Sequence, residues 1–344
     1  MSSSISSSNA PVAWRRFLAW LLGTALGALA FVYAFVAVVD PWDMLPISPP
    51  LPRVPISTNA RFSFPALARS PAFDSVIIGT STSRMMRPAV LDGIFTAHFA
   101  NLAMNSASPF EQMKMLALFA RTHAAPRVVI VGVDSAWCER QPPPDLSRPF
   151  PAWMYDGSPW RGYANIANLY AVQEAANQFA VLAGFKRRRY GLDGYTSFLP
   201  DDGRYDRARV DAIFASWGGD VADVPPQPVT LPALPKLAAG LAALPAATRK
   251  VLVFMPRDAG QQGAPGSDAA AVLAACKAGV TAIARGLPGS LVVDFDIASP
   301  ITQDRSHYWD PLHYRIGIAD RIMRDIGLAL AGTANAEDRI LWPE

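Results

Sequence analysis

The stretch "SVIIGTSTSRMMRPAVLDG", residues 75–93, decides how the chain is read. Four core-type residues, Val76 to Gly79, make a short buried strand. Thr80, Ser81, Thr82 and Ser83 follow, and small hydroxyl side chains cannot pack a core. Pro88 then stands where a helix begins. A strand–loop–helix unit with hydroxyls at its tip cradles an anion or presents a nucleophile. The rest of the chain decides between them.

The same alternation continues on both sides of a long insertion. "HFANLAM" leads into an amphipathic helix from about 109 to 122, and "RVVIVGVD" (127–134) is a third buried strand. Further on come "KVLVFMP" (250–256), a helix around 268–285, "SLVVDFD" (290–296) and a last helix around 316–330. Short apolar strands separated by helices predict an α/β fold, a parallel sheet covered by helices on both faces. Such sheets carry their sites at the carboxyl ends of strands. Those ends are Gly79-Thr80-Ser81, Asn105-Ser106, Asp134-Ser135, Pro256-Arg257 and residues 294–313.

The insertion, 135–249, is too long for a plain connection and holds helical patches such as 166–182. Trp137, Trp153, Tyr155, Trp160, Tyr163, Tyr190, Tyr195 and Trp217 fall in it, and a small core of its own is the expected use for most of these rings. A few exposed rings would suit stacking on sugar faces. The run Lys186-Arg187-Arg188-Arg189 reads as a solvated charged face, with attraction to an anionic polymer or to lipid headgroups as the alternative.

Composition bounds the class. Of 344 residues 51% are hydrophobic and 17% charged, which excludes disorder as the main state. A net charge of +3 gives no support for a nucleic-acid partner. The 31 prolines predict long irregular connections. Cys138 and Cys276 have neither metal-ligand spacing nor a disulfide framework; two free buried thiols are expected, with one bridge as the alternative in an extracytoplasmic domain.

Residues 17–39 carry no charge and reach about 34 Å as a helix, enough for a hydrocarbon core of about 30 Å. Arg15 and Arg16 precede them and no acidic residue occurs before Asp40. The positive-inside rule therefore predicts a cytoplasmic N-terminus (1–16), a single-pass anchor in the inner membrane, and a globular part on the periplasmic side. Ala28-Leu29-Ala30 imitates a signal-peptidase site, so a cleaved signal peptide is the alternative; the apolar run continues to Val39, which such a signal does not need. Residues 40–73, rich in Pro, Ser and Arg, read as an extended spacer, and 335–344 as a C-terminal tail.

Near the C-terminus stands "DRSHYWDPLHYRIGIADRI", residues 304–322. Asp310 and His313 lie three apart, so the carboxylate can accept from the imidazole Nδ1–H and leave Nε2 as a base. A serine at the end of the first strand completes a Ser-His-Asp set. Other uses exist for each residue. Ser81, Thr82 or Ser83 would serve as a helix cap, and Ser83 is the nucleophile if the loop is shifted. Arg84 pairs with a carboxylate or holds an acyl or anionic group. His313 has an ordinary loop histidine as its plain reading, and Asp134 and Asp294 are caps or secondary site groups. His307, Asp310 and His313 form an H-x-x-D-x-x-H, yet nothing else supplies a ligand cluster; no metal and no other cofactor is expected. His98 and His123 read as structural.

These residues resemble the SGNH (GDSL-type) hydrolase family, and more narrowly its membrane-anchored members linked to polysaccharide acetylation or teichoic-acid alanylation. Gly79-Thr80-Ser81 matches the Gly-Asp-Ser block and implies Ser81 as nucleophile; Asp310-Pro311-Leu312-His313 matches the Asp-x-x-His block. In "NLAMNSAS" Ser106 takes the place of the oxyanion-hole glycine, with Asn105 beside it. In "VGVDSAW" Asp134 stands where an Asn amide would donate, and a carboxylate there would repel an oxyanion. The resemblance covers roughly 74–134 and 250–330 and not the insertion. It implies a three-layer, flavodoxin-like parallel sheet over 74–334. It also implies an acyl (acetyl) transferase or esterase acting on a cell-envelope polysaccharide, partnered by an acyl donor system that includes a membrane acyltransferase. Two rivals stand beside it: an esterase of small or lipid esters, and a non-catalytic polysaccharide assembly or binding protein on the same fold.

Overall fold

The computed structural model describes residues 10–141, 143–217 and 224–343. In chain order its elements begin with α1 (Ala10–Val39), α2 (Ala60–Arg69), β1 (Ser75–Ile78), α3 (Pro88–Phe95), β2 (Phe99–Asn101), α4 (Pro109–Thr122) and β3 (Val128–Val133). The insertion carries two single-turn helices, α5 (Ala152–Tyr155) and α6 (Gly162–Asn165), then α7 (Leu169–Leu182), α8 (Arg207–Ser216) and α9 (Leu234–Ala242). The chain closes with β4 (Arg249–Phe254), α10 (Asp268–Arg285), β5 (Ser290–Asp294), α11 (Ile316–Leu330) and β6 (Arg339–Trp342). It divides into two compact units, residues 57–156 with 189–344, and residues 1–56 with 157–188.

The larger unit is built on one six-stranded sheet in the order β2-β1-β3-β4-β5-β6. The first five strands are parallel; β6 pairs antiparallel with β5. Strands buried along their whole length need helices on both faces. Side chains of one parity, Ile77, Ile130, Val251, Val253 and Val293, pack with Leu91 of α3 and Ile318, Ile322 and Ile326 of α11. Helix α4 packs on β1 and on α9, and α10 on β5 and α9, covering the other face. Helix α4 starts cleanly because Ser108 and Glu111 form a reciprocal capping box around Pro109, the first helical residue.

Three sequence expectations change here. The sheet is mixed, because the stretch read as a tail supplies β6: Arg339 to Trp342 carries β-type residues and Pro343 ends the pairing. The spacer read as extended contains α2, capped by Asn59 and burying Arg61, Phe64 and Ala68. Proline content masked a ten-residue amphipathic helix. Cys138 and Cys276 are not free thiols: they form a disulfide, Cα to Cα 5.4 Å, tying the chain after β3 to α10. Their separation of 138 residues hides a pair that the fold makes neighbours.

Three of the insertion's rings pack outside it rather than in a core of its own. Trp137 donates from Nε1 to Gln112 of α4 at 3.1 Å, Tyr155 from its hydroxyl to the Arg61 carbonyl at 3.0 Å, and Tyr190 packs edge-on against Phe64. Those rings join the core of the sheet unit.

The smaller unit consists of α1 and the segment around α7. Residues 13–39 of α1 have a mean hydropathy of 2.2, long and apolar enough to cross a membrane. It differs from a core helix in that most of its side chains are exposed. The first nine residues of the expected cytoplasmic arm lie outside the described residues.

Candidate active site

The order of strands fixes where a ligand can sit. From β1 the chain moves to β2 on one side, then crosses back to β3 on the other, so direction reverses between β1 and β3. Open α/β sheets bind ligands outside the carboxyl ends at such a switch. A cavity of about 250 Å³ lies there, lined by Ser81, Ser106, Asp134, Glu139, Arg257 and Leu312 among others.

The loop after β1 is folded tightly against the strand ends. Ser83 turns inward, and a Cβ at Gly79 or Gly132 would come within 2.3 or 1.8 Å of its Oγ. Only glycine fits at both places. Ser83 is fully buried and its hydroxyl has no hydrogen-bond partner among the described residues, which excludes it as the exposed nucleophile. Asn101, at the end of β2, donates to the carbonyls of Ser83, Arg84 and Met86 at 3.2, 3.3 and 2.8 Å. The Tyr314 hydroxyl donates to the Thr82 carbonyl. Held from two sides, the loop leaves Ser81 at its tip.

Ser81, His313 and Asp310 meet there. The second loop is closed by a bridge between Tyr308 and Tyr314 and by the Trp309 N–H donating to the His313 carbonyl at 2.8 Å. Within it Asp310 Oδ1 accepts from the N–H groups of Leu312 (2.9 Å) and His313 (3.0 Å), and Oδ2 pairs with His313 Nδ1 at 2.7 Å. Burial raises the pKa of Asp310, but the imidazole and the two amides outweigh it and hold the carboxyl below its ordinary value. An ionised Asp310 fixes the tautomer with the proton on Nδ1, which leaves Nε2, 2.8 Å from Ser81 Oγ, as acceptor. Phe198 from the insertion stands edge-on to the imidazole at 5.5 Å. The set can deprotonate and activate a serine.

The opposite wall of the cleft is the loop after β2. Ser106 has φ of +54°, the left-handed region that glycine occupies without steric cost. That backbone is what a serine in a glycine position has to adopt. The N–H groups of Ser106 and Ser81 make no hydrogen bond among the described residues. The carbonyl of the same peptide, that of Asn105, accepts from Arg61 Nη1 at 3.1 Å. In a trans peptide the C=O and N–H point opposite ways, so this bond turns the Ser106 N–H away from Arg61. Asn105 is gripped a second time, by Arg84 Nη1 on its side-chain oxygen at 2.9 Å.

Both arginines are deeply buried, in different company. Arg61 pairs with Glu111 through Nε–Oε1 at 2.8 Å and Nη2–Oε2 at 2.6 Å. Burial pushes the Glu111 pKa up, but Arg61, the Ser108 N–H and Ser147 more than reverse it. Arg84 has no carboxylate partner among the described residues; its guanidinium lies 5.5 Å from the Tyr190 and Phe198 ring centres. Desolvation lowers its pKa; of its two expected uses the carboxylate pair is not formed among the described residues, and an amide oxygen and two aromatic faces stand there instead.

Asp134 lines the cleft, but both its oxygens are engaged. Oδ2 accepts from the hydroxyls of Thr80 and of Thr82 (3.1 Å), and Oδ1 from the Ala136 N–H at 3.1 Å. Burial raises its pKa against these bonds. Its geometry is that of a brace between the loops after β1 and β3. Asp294 pairs with Lys277 at 2.7 Å, and His307 bonds the Ile301 carbonyl at 3.1 Å.

Sequence reasoning passed over Arg61, Glu111, Asn101, Phe198 and Tyr314. The capping box Ser108-x-x-Glu111 was a visible signal for one of them; the others are recognisable only once the loops are closed. No protein-family model matches the chain, and no curated protein matches it.

Proposed function

We propose that the chain is a membrane-anchored SGNH-type enzyme, a serine-dependent acyltransferase or esterase acting on a cell-envelope polysaccharide outside the cytoplasm. The observation that carries this is the Ser81–His313–Asp310 set beside the backbone N–H groups of Ser106 and Ser81, which make no hydrogen bond among the described residues. The strand order 2-1-3-4-5 of the parallel part is that of flavodoxin-like sheets and supports the SGNH type. The Cys138–Cys276 disulfide fits an oxidising compartment and supports the periplasmic side.

The steps follow from the geometry. Ser81 Oγ attacks the ester carbonyl carbon while His313 Nε2 takes the hydroxyl proton. The oxyanion is met by the N–H groups of Ser106 and Ser81, donors fixed before the charge develops. His313 returns the proton to the leaving alcohol, and the acyl group stays on Ser81. A sugar hydroxyl, or water, then attacks the acyl-serine with His313 again as base; the Ser81 Oγ–acyl bond breaks and His313 gives that proton to the departing Oγ. Asp310 stays ionised throughout and stabilises the imidazolium.

The test uses the full chain in detergent or nanodiscs with a fluorophosphonate probe and an activated acetyl ester. Labelling and turnover are expected in the native protein. Ser81→Ala should abolish labelling and cut turnover by at least about a thousandfold, whereas Ser83→Ala should keep both. Labelling that survives Ser81→Ala refutes the assignment. No labelling of the native protein, with cellular function intact in Ser81→Ala, establishes the assembly-factor rival instead. Acetyl transfer to an oligosaccharide, read by mass, separates transferase from esterase.

A further inference from the structure

Within the smaller unit, α7 packs along the outgoing end of α1. The Phe35 and Phe179 rings lie 5.9 Å apart, Trp42 and Tyr170 5.8 Å, and the Tyr33 hydroxyl donates to the Tyr163 carbonyl at 2.9 Å. Gln178 Nε2 donates to the Val54 carbonyl at 3.1 Å, fastening the middle of α7 to the chain that follows α1. A hydrocarbon core of about 30 Å takes about 20 helical residues at 1.5 Å each. Counted from Arg16, that core ends near Val36. The α1 residues touching this segment are therefore at the boundary between acyl chains and headgroups.

The segment is composed for that boundary. Between Arg161 and Lys186 the one charged residue is Glu174, and it is buried. The outward side chains are apolar or neutral: Leu169 is 88% exposed, Phe185 82%, and Phe179 about half. Trp160 is exposed as well, beside Tyr163. Soluble surfaces rarely line up large apolar side chains on a helix without charges between them. Immediately after Phe185 come Lys186, Arg187 and Arg188, all exposed. Apolar side chains followed by a basic run match a bilayer surface, acyl chains below and anionic phosphates above.

We propose that α7 and the turn after it lie in the interface of the bilayer that α1 enters, with Leu169, Phe179 and Phe185 among the acyl chains and Lys186 to Arg188 on anionic lipid headgroups. This rests on the reading of α1 as an uncleaved anchor. The unit then grips the membrane by a second element, and the basic run selects for acidic lipid.

The experiment uses the full chain in vesicles of phosphatidylcholine alone and with phosphatidylglycerol added. Nitroxides are placed at Leu169→Cys and Phe185→Cys, with Leu26→Cys in α1 and Leu328→Cys in α11 as references. Collision rates are measured with oxygen, which concentrates in lipid, and with a water-soluble nickel complex. The oxygen-to-nickel ratio at Leu169 and Phe185 should exceed that at Leu328 several-fold and rise further with phosphatidylglycerol; Arg187→Glu with Arg188→Glu should remove that rise. Leu169 and Phe185 matching Leu328 while Leu26 reads as lipid-embedded would overturn the proposal and leave the anchor standing. Shielding of both positions from oxygen and nickel alike would assign the face to a protein and overturn it too. A water-exposed Leu26 would remove the anchor and the proposal together.

Discussion

Two loops flank Ser81, and each is fixed by a carboxylate, Glu111 buried and Asp134 half-buried, but the two live under opposite electrostatics. Behind the loop after β2, Glu111 is held bidentately by Arg61 and capped by the Ser108 N–H, which keeps its pKa below the ordinary value. Beside the loop after β3, Asp134 is met by two hydroxyls and an amide, and burial keeps its pKa above the ordinary value. Glu111 is thus an ion at neutral pH whose partner also sets the Asn105–Ser106 peptide. Asp134 is a brace whose charge is costly. One wall of the cleft is organised by an ion pair, the other by neutral donors, so substitution and pH should act on them with opposite sign.

The largest effect is expected at Arg61. Arg61→Met leaves Glu111 buried without its counter-charge, which costs about 3 to 5 kcal/mol, and frees the Asn105 carbonyl to turn toward the cleft. Loss of one oxyanion donor lowers kcat by about a hundred to a thousandfold. Adding Glu111→Leu removes the stranded charge, so chemical denaturation should show much of the stability returning. Turnover should stay low, because nothing restores the carbonyl's donor. A double variant with native kcat would show that Arg61 acts on stability alone, and that the two walls do not differ in function.

What was legible in the sequence follows the same divide. Strands with continuous apolar runs and helices with caps or long periodicity were readable, because each signal is local: α4, α10 and α11 span the stretches expected for them. Ser81, Asp310 and His313 were legible through short spacings at strand ends. The supports were not. Arg61 sits in a stretch whose proline content spoke for a spacer, and its partner Glu111 is 50 residues away. Phe198 and Tyr190 come from stretches of the insertion outside its helical patches, and Asp134 looked like a repulsive carboxylate because its hydroxyl partners belong to another strand's loop. Non-local polar pairing is what one sequence leaves out.

At Asp134 the expected effect is smaller and its sign depends on pH. The folded pKa lies above the unfolded value, near 3.8, so the folded state binds more protons between the two values. Native stability should therefore fall as pH rises through that window. Asp134→Asn titrates nothing there, and its Nδ2 can donate to a threonine hydroxyl that reverses. The variant's stability relative to the native chain should rise from about pH 4 upward and then level off above the folded pKa. Glu111 runs the other way: its folded pKa is depressed, so its contribution is complete above the unfolded value and is lost as pH falls through the folded one. Urea titrations across pH for Asp134→Asn and Glu111→Gln would separate the slopes, and slopes of the same sign would break the contrast.

The smallest effect is expected at Ser106, and it isolates the backbone from the side chain. A non-glycine residue in the left-handed region carries roughly 1 to 2 kcal/mol of strain, part of which glycine gives back through the greater freedom of its unfolded chain. Ser106→Gly should therefore stabilise by less than about 1 kcal/mol. In the proposed mechanism the oxyanion donor is a main-chain N–H, and Arg61 orients its peptide through the Asn105 carbonyl, independently of the Ser106 side chain. Ser106→Gly and Ser106→Ala should then keep native kcat and KM on an activated acetyl ester. The alanine variant should also keep native stability, since it retains the strain and loses only an exposed hydroxyl. A fall in kcat in both variants would assign catalysis to that hydroxyl; a fall in glycine alone would mean that Arg61 does not hold the peptide by itself and that the strained residue helps to fix it.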